Sequence, residues 1–492
     1  MDRYAVVWTR VMGQPKKLAN MLLNDQQLRI TKTDDAMQEG IPGTSMLHDL
    51  AGQQQIVYQR HDSHHLPPQL QALLPPRHNN NPQRLILGKL LAREINVAGM
   101  KPLDQEWHML TFAGHGGIGH LDVFKTDALA QKYYDQPGMH SLDAKTGAVV
   151  WSAFRRLALD IASEQDENLV LDAIGPTPAV SGFVPKLMVP IRIIDGQWTG
   201  AMGGLDATPA LVKLESYPGL VALEELAYIF HRRAGIATPK TWAVTLMHGD
   251  EPVRMLAIER FDRQVDGRPI PIESMFSLLR TGNPTTYHST TDGSMEKLGE
   301  VLALPGLMAD SVQAKHELFR RFVLAICTGN GDLHTENIAL RGVAGSAALT
   351  PLFDPAPMRA YRYFRSNHNI LSALPFGGIG GYFQHGDAGY NDYADGKLTP
   401  PDLGKRLVDY GVSLGLSRTL CKDAIKQILD VTKNYQDEAE QVMNAIPIAE
   451  RKPMQPDIPG FLQTLQEVRN SIEKSYAGGS AAMMQIQKPK SR

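Results

Sequence analysis

The chain has 492 residues, with 50 Lys and Arg against 52 Asp and Glu, a formal net charge of −2. That balance excludes a nucleic-acid binder held by bulk positive charge, and 43% hydrophobic with 21% charged residues excludes a disordered chain. Two cysteines, Cys327 and Cys421, are too few for a disulfide framework or a cysteine-based zinc site, so a reducing, cytoplasmic setting is expected.

The length suits about three domains or one large bilobal unit. Residues 4–8, YAVVW, read as a buried strand whose apolar run stops at Thr9-Arg10, too short for a secretory or membrane segment. The next hundred residues mix short strands with loops. PPRHNNNPQ (75–83) carries strong turn chemistry and leads into a helix in which Leu87, Leu90, Leu91 and Ile95 recur at helical spacing. TFAGHGGIGHLDVF (111–124) is glycine-rich, but it completes no GxGxxG pattern and its histidines, five apart, are poorly spaced for one helix face, so a tight structural turn is expected. Residues 136–150 and 162–180 read as punctuation. GPTPAVSGFVPK (175–186) is a loop feeding the strand LMVPIRII (187–194), and TPALVKLES (208–216) is a further strand. Leu223, Leu226, Ala227 and Phe230 mark a helix that stops at Gly235, before a strand. MLAIERFDR (255–263) is a buried strand running into charge. From about 296 onward the helical period dominates: Leu318, Phe319, Phe322, Val323 and Ile326 line a helix ending at Gly329. LRGVAGSAALTPLFD (340–354) reads as a hairpin, 402–475 as largely helical, and the closing AGGSAAMMQIQKPKSR as a disordered tail.

The chemistry concentrates in CTGNGDLHTENIAL (327–340) and LTPLFDPAPM (349–358). Asp332 and Asn337 stand five apart directly after a helix, the D-x-x-x-x-N spacing of a kinase catalytic loop, in which the Asp meets the acceptor hydroxyl and the Asn holds a metal. Asp354, read as the end of the strand LTPLF, supplies a second carboxylate 17 residues after Asn337. Magnesium prefers oxygen ligands and keeps several waters, so one Asn and one Asp suffice. Alone, GNGD and DPAP could equally be turns with solvated acids. Upstream, Lys213 lies inside an apolar strand, where a charge is costly unless paired. Glu224 follows on the next helix, and Lys186 ends the Pro-rich loop. Either lysine alone could point to water from an edge strand. The order loop-Lys, strand-Lys, helix-Glu, D-x-x-x-x-N, strand-Asp is hard to reach by chance. His334 is read as an anchor of the loop rather than a base.

These segments resemble the HipA-type serine/threonine kinases of bacterial toxin–antitoxin systems. SGFVPK (181–186) is similar to the family's phosphate loop, LVKLES to its nucleotide-lysine strand, and IERFDR to its strand-to-hinge motif. GDLHTEN and LTPLFD resemble its catalytic and metal loops, while LLPPR and GHGGIGHLDVF resemble its small N-terminal subdomain. The resemblance implies an α+β, bilobal protein-kinase-like fold with a strand-rich N-terminal subdomain (1–135), a nucleotide-binding N-lobe (136–265), a helical C-lobe (266–475) and a tail (476–492). It implies ATP and Mg2+ as cofactors, Asp332 as catalytic base, and Asn337 and Asp354 as metal ligands. Lys186, Lys213 and Glu224 would serve the nucleotide phosphates, Glu259 and Phe261 the adenine, and Ser181 would be a regulatory, autophosphorylated serine. A protein substrate is implied, as is a HipB-like helix-turn-helix antitoxin, with DNA reached only through that partner and no membrane. Three departures stand out: Glu336 replaces the usual lysine before the metal asparagine, the nucleotide loop is Pro-rich, and Ala179 occupies the more usual place of the regulatory serine. A small-molecule phosphotransferase and a non-catalytic antitoxin-binding co-repressor are the competing readings.

Overall fold

The computed structural model describes residues 2–59, 66–75, 81–97, 99–136, 141–159, 161–174, 184–204, 206–281, 289–361, 371–377, 400–447 and 456–484. The chain divides into two compact units: residues 1–216, 239–288 and 339–350 form the first, and 217–238, 289–338 and 351–492 the second.

The first unit opens with β1 (Arg3–Thr9), β2 (Lys16–Leu23) and β3 (Gln27–Lys32), then the short helices α1 (Asp34–Gln38) and α2 (Met46–Leu50), β4 (Gln55–Gln59) and α3 (Pro68–Gln71). Next come α4 (Pro82–Glu94), α5 (Pro102–Ala113), β5 (Asp122–Phe124) and α6 (Asp127–Asp135). The strands pair antiparallel in the order β4-β3-β2-β1-β5. One face of this sheet is apolar: Val7, Leu18, Met21 and Ile30 pack with Leu87, Leu91, Trp107 and Leu110 of α4 and α5. The expected N-terminal strand and the helix carrying Leu87 and Leu91 are both present.

The stretches read as punctuation are instead two helices, α7 (Ala144–Ala158) and α8 (Glu164–Ile174). Asp143 caps α7 by accepting from the Thr146 amide, and Val150, Trp151, Phe154 and Leu157 form its buried stripe. The apolar period was present but began inside the stretch read as a boundary. These helices cover a second antiparallel sheet built from β6 (Lys186–Ile194), β7 (Gln197–Met202), β8 (Thr208–Leu214), β9 (Thr241–His248) and β10 (Glu251–Glu259), in the order β7-β6-β8-β10-β9. Leu187, Val189, Val212, Leu214, Met255 and Ala257 point into that core. The residues alternating with them, Lys186, Met188, Lys213, Leu256 and Ile258, therefore take the other face. A small third sheet, in the order β11-β12-β13, joins β11 (Ile272–Ser274), which runs into α10 (Met275–Arg280), to β12 (Ala339–Arg341) and β13 (Ala348–Leu349).

The second unit is helical. It contains α9 (Leu220–Arg233), α11 (Met295–Leu302) and α12 (Ser311–Thr328), followed by α13 (Leu403–Ser413), α14 (Arg418–Val431), α15 (Tyr435–Asn444) and α16 (Ile458–Met484). The stripe expected on α9 is buried throughout: Leu223, Ala227 and Phe230 are fully enclosed. α16 extends through Met484, into the stretch read as a tail. Among the described residues, no helix is long and apolar enough to cross a membrane.

Candidate active site

The two units carry two separate sets of the predicted residues. In the first, Lys186 and Lys213 are direct cross-strand partners on β6 and β8, and each is only 3% exposed. Directly opposed residues share a face, and like charges so placed repel. A buried ammonium group is costly unless it meets a partner, so both lysines need one on that face. Glu259 closes β10 opposite Ala210, half-buried, with Lys240 Nζ 3.8 Å from its carboxylate, and the half-buried Phe261 follows. Ser181 and Ala179, with most of the Pro-rich loop, lie outside the described residues.

The charged end of IERFDR is a clamp. Arg260 donates to both carboxylate oxygens of Asp262, at 2.9 and 2.7 Å, and Arg263 donates to Oδ2 at 2.8 Å. The same two guanidiniums hold the carbonyl groups of the glycine loop: Arg260 reaches Gly116 and Gly117, and Arg263 reaches Gly117 and Gly119. The Gly119 amide donates back to Asp262 at 2.8 Å. Burial alone would raise the Asp262 carboxyl, but the two arginines and these hydrogen bonds overcome it and hold it below the usual range. His120 is buried with Nε2 against the Pro42 and Gly43 carbonyl oxygens, and burial depresses its pKa, keeping it neutral. GHGGIGH is thus the structural turn expected from its incomplete motif. The clamp was missed, because only the fold brings 260–263 to 116–119.

In the second unit, α12 ends at Gly329 with φ +77°, where a side chain's Cβ would lie 2.5 Å from the Phe461 ring. The chain then turns through Asn330, 3% exposed, whose Oδ1 accepts from the Asp332 amide at 3.0 Å and whose Nδ2 reaches the Asp354 carbonyl at 3.4 Å. Asn337, 8% exposed, donates through Nδ2 to the Asp332 carbonyl at 2.8 Å, which leaves its Oδ1 as the end suited to a cation. His334 braces the loop: its amide donates to the Asp332 carbonyl and its Nδ1 accepts from the Glu336 amide at 3.2 Å. The accepting Nδ1 ties the ring to its own loop, in line with an anchoring role. Thr335 is fully buried and bonds the Thr290 carbonyl.

Asp354 does not end a strand. β13 stops at Leu349, because Pro351, Pro355 and Pro357 lack the N–H a ladder needs. Asp354 instead has φ +56°, one of two non-glycine residues with positive φ among the described residues. Its amide donates to Tyr228 Oη at 3.3 Å. Glu224, 2% exposed, lies one turn earlier on α9. Hydrogen bonds to the backbone thus link Asp332, Asn337 and Asp354 through Asn330 and Asn337, and two carboxylates with one amide oxygen are ligand types that fit magnesium. Asn330 and Tyr228 were not anticipated. The only signal for Asn330 was an Asn-Gly-Asp run with strong turn chemistry, and a buried tyrosine on a helix face carries none.

The family model for the HipA-like C-terminal domain matches residues 179–443. No curated protein sequence matches significantly. Among solved structures, the HipA chain of the Shewanella oneidensis MR-1 toxin–antitoxin system, determined with HipB and its operator DNA, aligns over 96% of this chain and 98% of its own, with a TM-score of 0.54 and 15% identity. The Helicobacter pylori proinflammatory kinase CtkA aligns over 61% of this chain and 97% of its own, with a TM-score of 0.39 and 13% identity. The fold is the expected α+β class with a strand-rich N-terminal region, and it is like that of the HipA chain.

Proposed function

The chain belongs to the HipA-like C-terminal domain family, and from that premise we propose that it is an ATP-dependent serine/threonine protein kinase. The observation that carries this reading is the bonded group of the second unit: Asn337 tied to the Asp332 carbonyl, and Asn330 tied to both Asp332 and Asp354. A loop with merely solvated acids would need none of these buried side-chain links.

On this reading Asp332 orients the acceptor hydroxyl and takes its proton as the γ-phosphoryl group transfers. Asn337 Oδ1 and the Asp354 carboxylate would hold Mg2+, which when bound neutralises charge on the phosphate oxygens. Lys186, Lys213 and Glu224 serve the nucleotide phosphates, and Glu259 and Phe261 take the adenine end. A HipB-like helix-turn-helix protein is proposed as partner, with DNA reached through it, because the HipA chain of like fold was determined with HipB and operator DNA. Glu336 places a negative charge where related kinases carry lysine, so the protein substrate is expected to differ in charge from theirs.

Thermal unfolding with and without Mg-ATP tests the reading. Ligand at a hundred times its dissociation constant stabilises by about 2.7 kcal/mol, a rise of several degrees. No shift at saturating Mg-ATP overturns it.

A further inference from the structure

Of the two non-glycine residues with positive φ among the described residues, Asp195 has an ordinary explanation: it opens the Asp195-Gly196 turn of the β6–β7 hairpin. Asp354 has none of that kind. It sits in an irregular segment, and it precedes Pro355, whose ring favours extended backbone in the residue before it. Such a conformation persists only where the surroundings over-determine it. Three contacts do so here. Upstream, the Leu352 amide donates to the Ala237 carbonyl at 2.8 Å. At Asp354 itself, the amide donates to Tyr228 Oη at 3.3 Å, and the carbonyl accepts from Asn330 Nδ2 at 3.4 Å. Both partners are themselves fixed: Tyr228 is fully buried on α9, and Asn330 is 3% exposed with its other end on the Asp332 amide.

We propose that Tyr228 and Asn330 are positioning residues that grip the Asp354 peptide from its two ends and so set where its carboxylate reaches. Neither touches a reacting atom. Tyr228 makes the geometry of Asp354 depend on α9, the helix that also carries Glu224. Asn330 links the Asp332 amide to the Asp354 carbonyl through one side chain. The inference rests on the kinase reading for its consequence, since Asp354 matters to Mg2+ only if the chain uses Mg-ATP. Its structural half stands by itself.

The test uses the full-length chain and the substitutions Tyr228→Phe and Asn330→Ala. In the nucleotide-free protein, hydrogen exchange should show the Asp354 amide losing protection about tenfold or more in Tyr228→Phe, because its acceptor is gone. With nucleotide, titration of Mg2+ at fixed ATP, read as thermal shift and as phosphate transfer, should give half-saturating Mg2+ raised several-fold in Tyr228→Phe, with kcat at saturating Mg2+ largely retained. Mn2+, which binds oxygen sites more tightly, should restore much of the loss. Asn330→Ala should raise half-saturating Mg2+ and also lower kcat, because it loosens Asp332 as well. A lower melting temperature with wild-type metal dependence and wild-type exchange at Asp354 would make both residues merely structural and overturn the inference. A wild type that responds to Mg-ATP while both variants keep its metal dependence overturns the inference and leaves the kinase reading intact. A wild type that ignores Mg-ATP overturns both.

Discussion

The loops at 114–120 and 329–337 look alike in sequence, since each combines glycines with histidine and has aspartate in or near it. Their bonding differs in kind. The first has its carbonyl groups taken by Arg260 and Arg263, more than 140 positions along the chain, and its Gly119 amide taken by the buried Asp262. The second adds a set of its own short-range bonds, Asn330 to Asp332, His334 to Asp332 and Glu336, and Asn337 to Asp332, to its longer ties from Asn330 to Asp354 and from Thr335 to Thr290. A loop clamped by distant buried charges is architecture. A loop that braces its own backbone and keeps its aspartate half-exposed can present that carboxylate to a ligand. Composition alone cannot separate the two, whereas the range of the hydrogen bonds can.

The sharpest way to break this contrast is to remove each aspartate in turn. Asp332→Asn should lower phosphate transfer by about 10²–10⁴-fold, the usual worth of a positioned proton acceptor. Its unfolding curve and Mg-ATP thermal shift should stay close to wild type, because the substitution is isosteric and the bonds to its backbone remain. Full activity in Asp332→Asn would return this loop to the class of plain turns. Asp262→Ala should do the reverse. It leaves two half-buried guanidiniums without the buried carboxylate they share, a loss of up to about 3–5 kcal/mol, read as a lower denaturant midpoint of the whole chain. The wild-type carboxylate is held below the usual range, so its contribution is present above the unfolded-state value, about 3.9, and is lost as pH falls through the folded one. The difference between wild type and Asp262→Ala should therefore shrink below about pH 4. An unchanged midpoint would mean that the clamp is decoration.

The same contrast explains what could be read in advance. Periodicity located β1, β6, β8, α9 and α12, because each buries one face and so repeats its apolar residues at 2 or 3.6. The motif spacing of Asp332 and Asn337 was readable because the loop bonds to itself, and local bonds leave local sequence marks. Lys186 opposite Lys213 depends on strand register, and the Arg260–Asp262–Arg263 clamp on a long-range contact, so neither was visible. The strand drawn through Leu352 and Phe353 failed for a local reason that the prolines already announced. The helices α7 and α8 were lost to their Gly- and Pro-rich flanks, which drew the eye from the stripe of Val150, Trp151, Phe154 and Leu157.

The smallest expected effect concerns a second buried carboxylate of the first unit, and it sharpens the distinction between a clamp and a tether. Glu273, on β11, is 6% exposed; it accepts from the Met46 amide at 2.7 Å and from Ser277 Oγ at 2.8 Å. Asp262 has two arginines, whereas Glu273 meets only neutral donors, with Asp49 as a further negative charge near it. Burial therefore wins, and the Glu273 carboxyl is pushed up to about 7. The sign follows from linkage. Below about pH 4.3, the ordinary Glu value, folded and unfolded chains both hold the proton and the tether has its full worth. Between there and pH 7 the unfolded chain ionises while the folded one stays protonated, so stability falls as pH rises and levels off above the folded value. Glu273→Gln keeps an acceptor for Met46 and removes the titration. Denaturant midpoints measured from pH 4 to 8 should slope downward for the wild type across that window relative to Glu273→Gln, with the two curves closest at the acid end. Parallel curves would show that Glu273 ionises normally, and that Met46 is held by an ordinary charged acceptor rather than a protonated one.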